Sequence, residues 1–130
     1  MAEMSDYLER SLLNATLNNT AFTTVATPYI SLHTADPTDD GTGTEVSGGS
    51  YARTSASFAT ASGTSGSVAT DADVTFPTAT ASWGTVTHIG IWNDPSSGNL
   101  LYHTALDSSK TIDSGDIFKI TSGNLTVTLA

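Results

Sequence analysis

Three histidines, His33, His88 and His103, are the only side chains in this sequence whose ordinary titration falls near neutral pH. A histidine close to serine and aspartate suggests a hydrolytic triad. No Gly-x-Ser-x-Gly turn occurs, however, and serine is spread along the whole chain. All three histidines fall in segments that alternate like strands, not in loops, where catalytic groups concentrate. Strand histidines bonded to backbone or to threonine neighbours are therefore expected, without catalysis. A second set is acidic: Asp36, Asp39, Asp40 and Glu45 share one polar stretch, and hard cations such as calcium prefer such oxygen donors. The stretch lacks the EF-hand register, and Asp71 with Asp73 makes only a weak second pair. A solvated acidic loop is expected, with no cofactor and no required metal. The third set is aromatic. Trp83, Trp92, Tyr7, Tyr29, Tyr51 and Tyr102 would stack on sugar rings if a planar pair were exposed, and Trp92 fits a core role equally well. Cysteine is absent, so there is no thiolate nucleophile, disulfide or cysteine-bound metal.

These groups need elements to hold them. Asp6 and Glu9 have the spacing of an acidic capping box, with Ser5 as a competing cap. Leu8, Leu12, Leu13 and Leu17 follow on one helical face, and Asn18-Asn19 ends the pattern, which predicts a helix over Asp6 to Leu17. Everything later reads as strands between turns. Tyr29–Thr34 alternates. Ala35–Ser50 is a loop with four acids and four glycines, and Tyr51–Phe58 is a weaker strand. Val68–Phe76 alternates again. Val86–Trp92 is the clearest strand, with Val86, His88, Gly90 and Trp92 on one face and Thr87, Ile89 and Ile91 on the other. Asn93–Gly98 turns it into Leu100–Leu106, and Thr111-Ile112, Ile117–Ile120 and Leu125–Leu129 complete the series.

The whole composition agrees. The chain has 130 residues, within the roughly 100–200 of one domain. Thr, Ser, Ala and Gly number 23, 17, 15 and 11, so half the chain is small and suits thin strands and turns. Seven or eight short strands without strand–helix alternation indicate a mainly β chain: a single antiparallel β-sandwich or jelly-roll-like domain at residues 21–130, led by a helical arm at residues 1–20. Thirteen acids against four bases leave a net charge of −9, which repels nucleic acid and anionic membrane surfaces. No apolar run reaches the roughly 18–20 residues of a membrane span, and the acidic start does not resemble an export signal. No internal repeat is visible.

Four stretches carry a resemblance. Ala35-Asp36-Pro37, Gly41 to Arg53 (GTGTEVSGGSYAR), Phe76 to Gly84 (FPTATASWG) and Gly98 to His103 (GNLLYH) are similar, taken together, to a family of small tailed-bacteriophage virion proteins. Members of that family carry the label phage tail fibre protein, and the resemblance runs from Tyr7 to Leu129. It implies a structural protein of the virion, assembled in the host cytoplasm and contacting the major capsid protein or other virion subunits. A fibre shaft needs repeats or heptads, and neither occurs. A capsid cement (decoration) protein on the outer shell is therefore the first expectation, by analogy a homotrimer. A tail fibre or tail-tip adaptor is the second, and a carbohydrate-binding receptor module the third. Asp36, Asp39, Asp40, Glu45, Tyr51 and Arg53 are the expected partner-binding residues, because a 16-residue loop without secondary structure exceeds the roughly 12–15 above which loops are usually functional or disordered.

Overall fold

Ser5, not Asp6, caps the helix. Its side chain accepts the Leu8 amide at 3.1 Å, and its own hydroxyl donates to the Leu100 carbonyl, so one residue both starts the helix and ties it to a distant strand. The computed structural model describes residues 2–129; Met1 and Ala130, the outermost residues of the two expected segments, lie outside the described residues. Strand β1 (Glu3–Met4) precedes helix α1 (Asp6–Leu17), whose bounds are those the leucine spacing predicts. Asp6 and Glu9 lie in its first turn, where carboxylates complement the helix dipole. The leucine face divides, however. Leu8 is buried and Leu12 packs on the core, whereas Leu13 and Leu17 are 56% and 74% exposed.

The strands that follow are β2 (Tyr29–His33), β3 (Thr54–Ser55), β4 (Ser67–Ala69), β5 (Val74–Thr75), β6 (Gly84–Trp92), β7 (Leu100–Ile112), β8 (Lys119–Ile120) and β9 (Thr126–Thr128). Five form one antiparallel sheet in the order β1-β7-β6-β2-β3, and the pairs β4-β9 and β5-β8 form two ribbons. The molecule is mainly β with one N-terminal helix, as its residue pattern predicts. Several expected boundaries differ: the Tyr51–Phe58, Ile117–Ile120 and Leu125–Leu129 strands shorten to β3, β8 and β9. The Val68–Phe76 segment breaks at Asp71-Ala72 into β4 and β5, which pair with different partners. Thr111-Ile112 is not a separate element: β7 runs on through it, because β6 carries pairing as far as Gly84 with Ile112.

Ile30 and Leu32 from β2, Ile89 and Ile91 from β6, and Leu101 from β7 join Val74, Phe76, Phe118, Leu125 and Val127 of the ribbon regions in one apolar cluster. Phe76 and Phe118 meet edge to face with centroids 5.5 Å apart. Val86 belongs to this cluster together with Ile89 and Ile91, contrary to simple alternation. A register shift between Val86 and His88 resets the pattern. The alternate positions of β2, Ser31 and His33, are fully buried, and Gly90, Trp92, Leu100 and His103 are buried with them. The central strands thus have polar side chains hidden on their second face, and something must cover them.

Candidate functional site

The cover is the acidic loop. It doubles back so tightly that a Cβ on Gly43 would stand 2.1 Å from the Pro37 Cα, so no side chain fits there. Gly43 donates to the Pro37 carbonyl at 3.1 Å, and Pro37 itself is fully buried. The Asp36 carboxylate accepts the Thr38 amide at 2.9 Å. Asp40 accepts both the Thr38 and Thr42 hydroxyls at 2.7 Å and the Thr42 amide at 3.0 Å. The Thr38 hydroxyl, then those of Thr42, hold the Asp40 carboxyl below its ordinary value. The returning limb runs against β2: Thr34 donates to the Thr44 carbonyl at 3.0 Å and Val46 to the Leu32 carbonyl at 2.9 Å. Gly41 rests on Trp92 and Leu100, which explains how a loop with four acids closes over an apolar patch.

Glu45, Tyr51 and Arg53 form a knot at the end of this limb. The Arg53 guanidinium donates to both Glu45 oxygens, Nε at 2.9 Å and Nη2 at 2.8 Å, while Nη1 donates to the Asp94 and Ser97 carbonyls at 3.1 and 2.9 Å. Its Cζ lies over the Trp92 ring, 3.8 Å from the centroid, and the side chain is only 8% exposed. The Tyr51 hydroxyl donates to Glu45 at 2.7 Å and accepts the Leu32 amide at 3.0 Å. Burial pushes the Tyr51 phenol up. Burial also works to raise Glu45, but the Arg53 and Tyr51 hydrogen bonds and the guanidinium charge outweigh it and hold the carboxyl below its ordinary range. The polar groups of these three residues are engaged inside the chain. Asp36, Asp39 and Asp40 keep exposed carboxylates at the surface.

Two histidines sit beneath the loop. His33 Nε2 lies 2.7 Å from the Ser31 hydroxyl, which also accepts the Trp92 indole N–H at 2.8 Å. That is the separation of a nucleophile and its base. Both residues are fully buried, however, so no substrate reaches the hydroxyl. Burial lowers the His33 pKa, and the Glu45 charge and the Gly43 carbonyl offset only part of that shift. His103, also buried, lies between two loop acids, with Nε2 2.8 Å from Asp39 and Nδ1 3.4 Å from Asp36. Glu3 of β1 stands opposite His103 in the sheet register, and the ligating atoms of Glu3, Asp39 and His103 lie within 4.8 Å of one another. Spacing along the chain gives no hint of this grouping, because 36 and 64 residues separate Asp39 from Glu3 and His103. Both tryptophans are buried with their indole N–H groups donated internally, Trp83 to the Gly49 carbonyl at 2.9 Å, so neither forms a surface platform for sugar stacking. Asp73 pairs with Lys119 at 3.1 Å and accepts the Ser122 amide at 2.8 Å.

This is an ordered acidic cap on a β domain, and the arrangement suits a structural component with a charged contact surface. A protein-family model described as Podophage GP4 fiber I protein gp80 matches residues 3–128, from the first strand to the last. The chain belongs to that family, and it is a phage virion structural protein. A comparison with curated proteins gives no match. Among the described residues no helix is long and apolar enough to cross a membrane.

Proposed function

We propose that the chain is a globular, non-catalytic subunit of the virion fibre, seated on other virion subunits through the acidic loop and the outward side of α1. The observation that carries this reading is the extent of the family match: it takes in β1, α1 and every later strand, so a fibre role concerns this folded domain itself. The loop supports it. Ordered by Gly43, Asp40 and the contacts of Gly41, it holds Asp36, Asp39 and Asp40 at the surface in a fixed arrangement, which suits recognition of a basic patch. The Ser31–His33 pair, sealed from solvent, supports a role without catalysis.

Capsid cement is the second reading. It is favoured by the absence of any repeat or heptad from which a shaft is built. Electron cryomicroscopy of particles with and without the chain separates the two. Difference density confined to the tail fits the fibre subunit, whereas density distributed over the shell replaces it with cement.

A further inference from the structure

We propose that Glu3, Asp39 and His103 form a binding site for a divalent transition metal, with zinc the best-fitting ion and Asp36 as the outer carboxylate that orients the imidazole. The inference is independent of the virion location.

A neutral imidazole carries one N–H and one lone pair. His103 has a carboxylate at each ring nitrogen, Asp36 at 3.4 Å from Nδ1 and Asp39 at 2.8 Å from Nε2. In the metal-free chain the 2.8 Å contact is a hydrogen bond between Nε2 and Asp39; zinc bound at Nε2 places the ring's one N–H on Nδ1, toward Asp36, and takes the Asp39 oxygen as a second ligand. A carboxylate on the far nitrogen is the usual outer partner of a metal-bound histidine, since it fixes the tautomer and aims the ligating nitrogen. Glu3 brings a further oxygen to the same point, and the three ligating atoms lie within 4.8 Å of one another. Donor atoms on a tetrahedral zinc stand about 3.3 Å apart, so the set closes by a swing of about 1.5 Å in the exposed Glu3 side chain and a retreat of about half an ångström between Asp39 and His103.

The charge balance points the same way. Among the described residues, neither Glu3, Asp36 nor Asp39 pairs with a lysine or arginine, although Glu45 and Asp73 both do. Three carboxylates around one buried ring therefore have no fixed counter-charge within the described fold. The donor set also discriminates. A nitrogen ligand and two or three carboxylate oxygens suit zinc, with manganese, cobalt and nickel as weaker alternatives, while calcium and magnesium prefer oxygen alone. The bound ion would tie three elements together, β1 through Glu3, the loop through Asp39 and β7 through His103.

Zinc chloride titrated calorimetrically at pH 7.5 into the full chain, freed of metal with EDTA and then dialysed, tests the site. One zinc per chain should bind and raise Tm, while calcium at the same concentration should leave Tm unchanged. Glu3→Gln should weaken zinc at least tenfold. Its melting in EDTA should stay at the parent value, because residue 3 is exposed and β1 pairs through its backbone. His88→Gln, which removes the one partly exposed imidazole among the three, should leave the affinity within about twofold. Cobalt(II) should give visible absorption bands in the parent that are lost in Glu3→Gln. The proposal is overturned if zinc fails to bind, if Glu3→Gln binds as tightly as the parent, or if binding disappears with His88. The first outcome would leave the His103–Asp39 contact as a hydrogen bond that only pins the loop to β7.

Discussion

Arg53 is one of only four basic residues, and it is spent inside the chain. A bidentate carboxylate, two carbonyls and an indole face surround it, so its removal leaves the Glu45 charge half-buried with one hydroxyl for company. Loss of one partner of a buried pair costs roughly 3–5 kcal/mol. Because Glu45 retains some solvent contact, we expect Arg53→Ala to lower unfolding stability by about 3 kcal/mol in urea denaturation. Arg53→Lys should recover less than half, since an ammonium cannot reproduce the flat two-pronged contact. A loss under about 1 kcal/mol for Arg53→Ala would show that the knot is dispensable. His33 sets a pH limit of its own. Its folded pKa is depressed below the ordinary 6.5, so below about pH 6.5 the unfolded chain takes up a proton that the folded chain resists. Stability from this residue is complete above that pH and declines as pH falls toward the folded value, by at most about 1.4 kcal/mol per pH unit. The decline starts before Glu45, with an ordinary value of 4.5 lowered further, begins to protonate. Thermal melts from pH 7 to 5 should fall in the parent and flatten in His33→Gln; parallel curves would remove His33 as the cause.

Among the elements, α1 is the one whose exposure calls for a partner. Leu13 and Leu17 lie outward beyond the stretch where Leu8 and Leu12 meet the core. Surface substitutions away from packed contacts change stability by less than about 0.5 kcal/mol. The pair Leu13→Gln and Leu17→Gln should therefore leave Tm nearly unchanged while weakening attachment of the chain to particles that lack it, as measured by co-sedimentation with those particles. A doubly substituted chain that attaches like the parent would exclude this face as the contact. The helix bounds were legible in the sequence because capping and leucine spacing are local signals. The depth of the helix in the fold was not, since which leucines are covered depends on β7. In the same way, β2 and β6 could be read from alternation, but the shift after Val86 could not, because it reflects pairing with residues some 20 positions away. Asp36, Asp39, Asp40 and Glu45 were recognisable as one acidic loop. Their division into a Glu45–Tyr51–Arg53 knot and an Asp36–Asp39–His103–Glu3 group depends on partners 6 to 67 residues distant, which spacing does not report.

For the molecule as a whole, a net charge of −9 on a chain whose few bases are partly internal makes attachment to other virion subunits an electrostatic matter. Exposed charges are screened beyond roughly 8 Å at physiological salt. Binding of the chain to particles that lack it should therefore weaken steeply as salt rises from 50 to 500 mM. The triple variant Asp36→Asn, Asp39→Asn, Asp40→Asn should flatten that dependence and bind less at low salt. Keeping EDTA present throughout removes metal from the comparison. If parent and variant decorate such particles equally at every salt concentration while both stay folded, the loop is not the contact.

The pairing of Glu3 with His103 also fixes an order of events in time. A strand near the start of the chain can enter the sheet only after residues a hundred positions later have left the ribosome, and so can the Ser5 hydroxyl that anchors α1 to Leu100. Until then the segment carrying Leu8 and Leu12 has no surface to settle on, and nascent chains that wait in this way are open to capture by neighbours. The residues translated earliest within this sheet are therefore among the last to acquire their places. In a cell filling with many copies, the interval between those two moments sets how long each copy presents an unsheltered leucine row to the next.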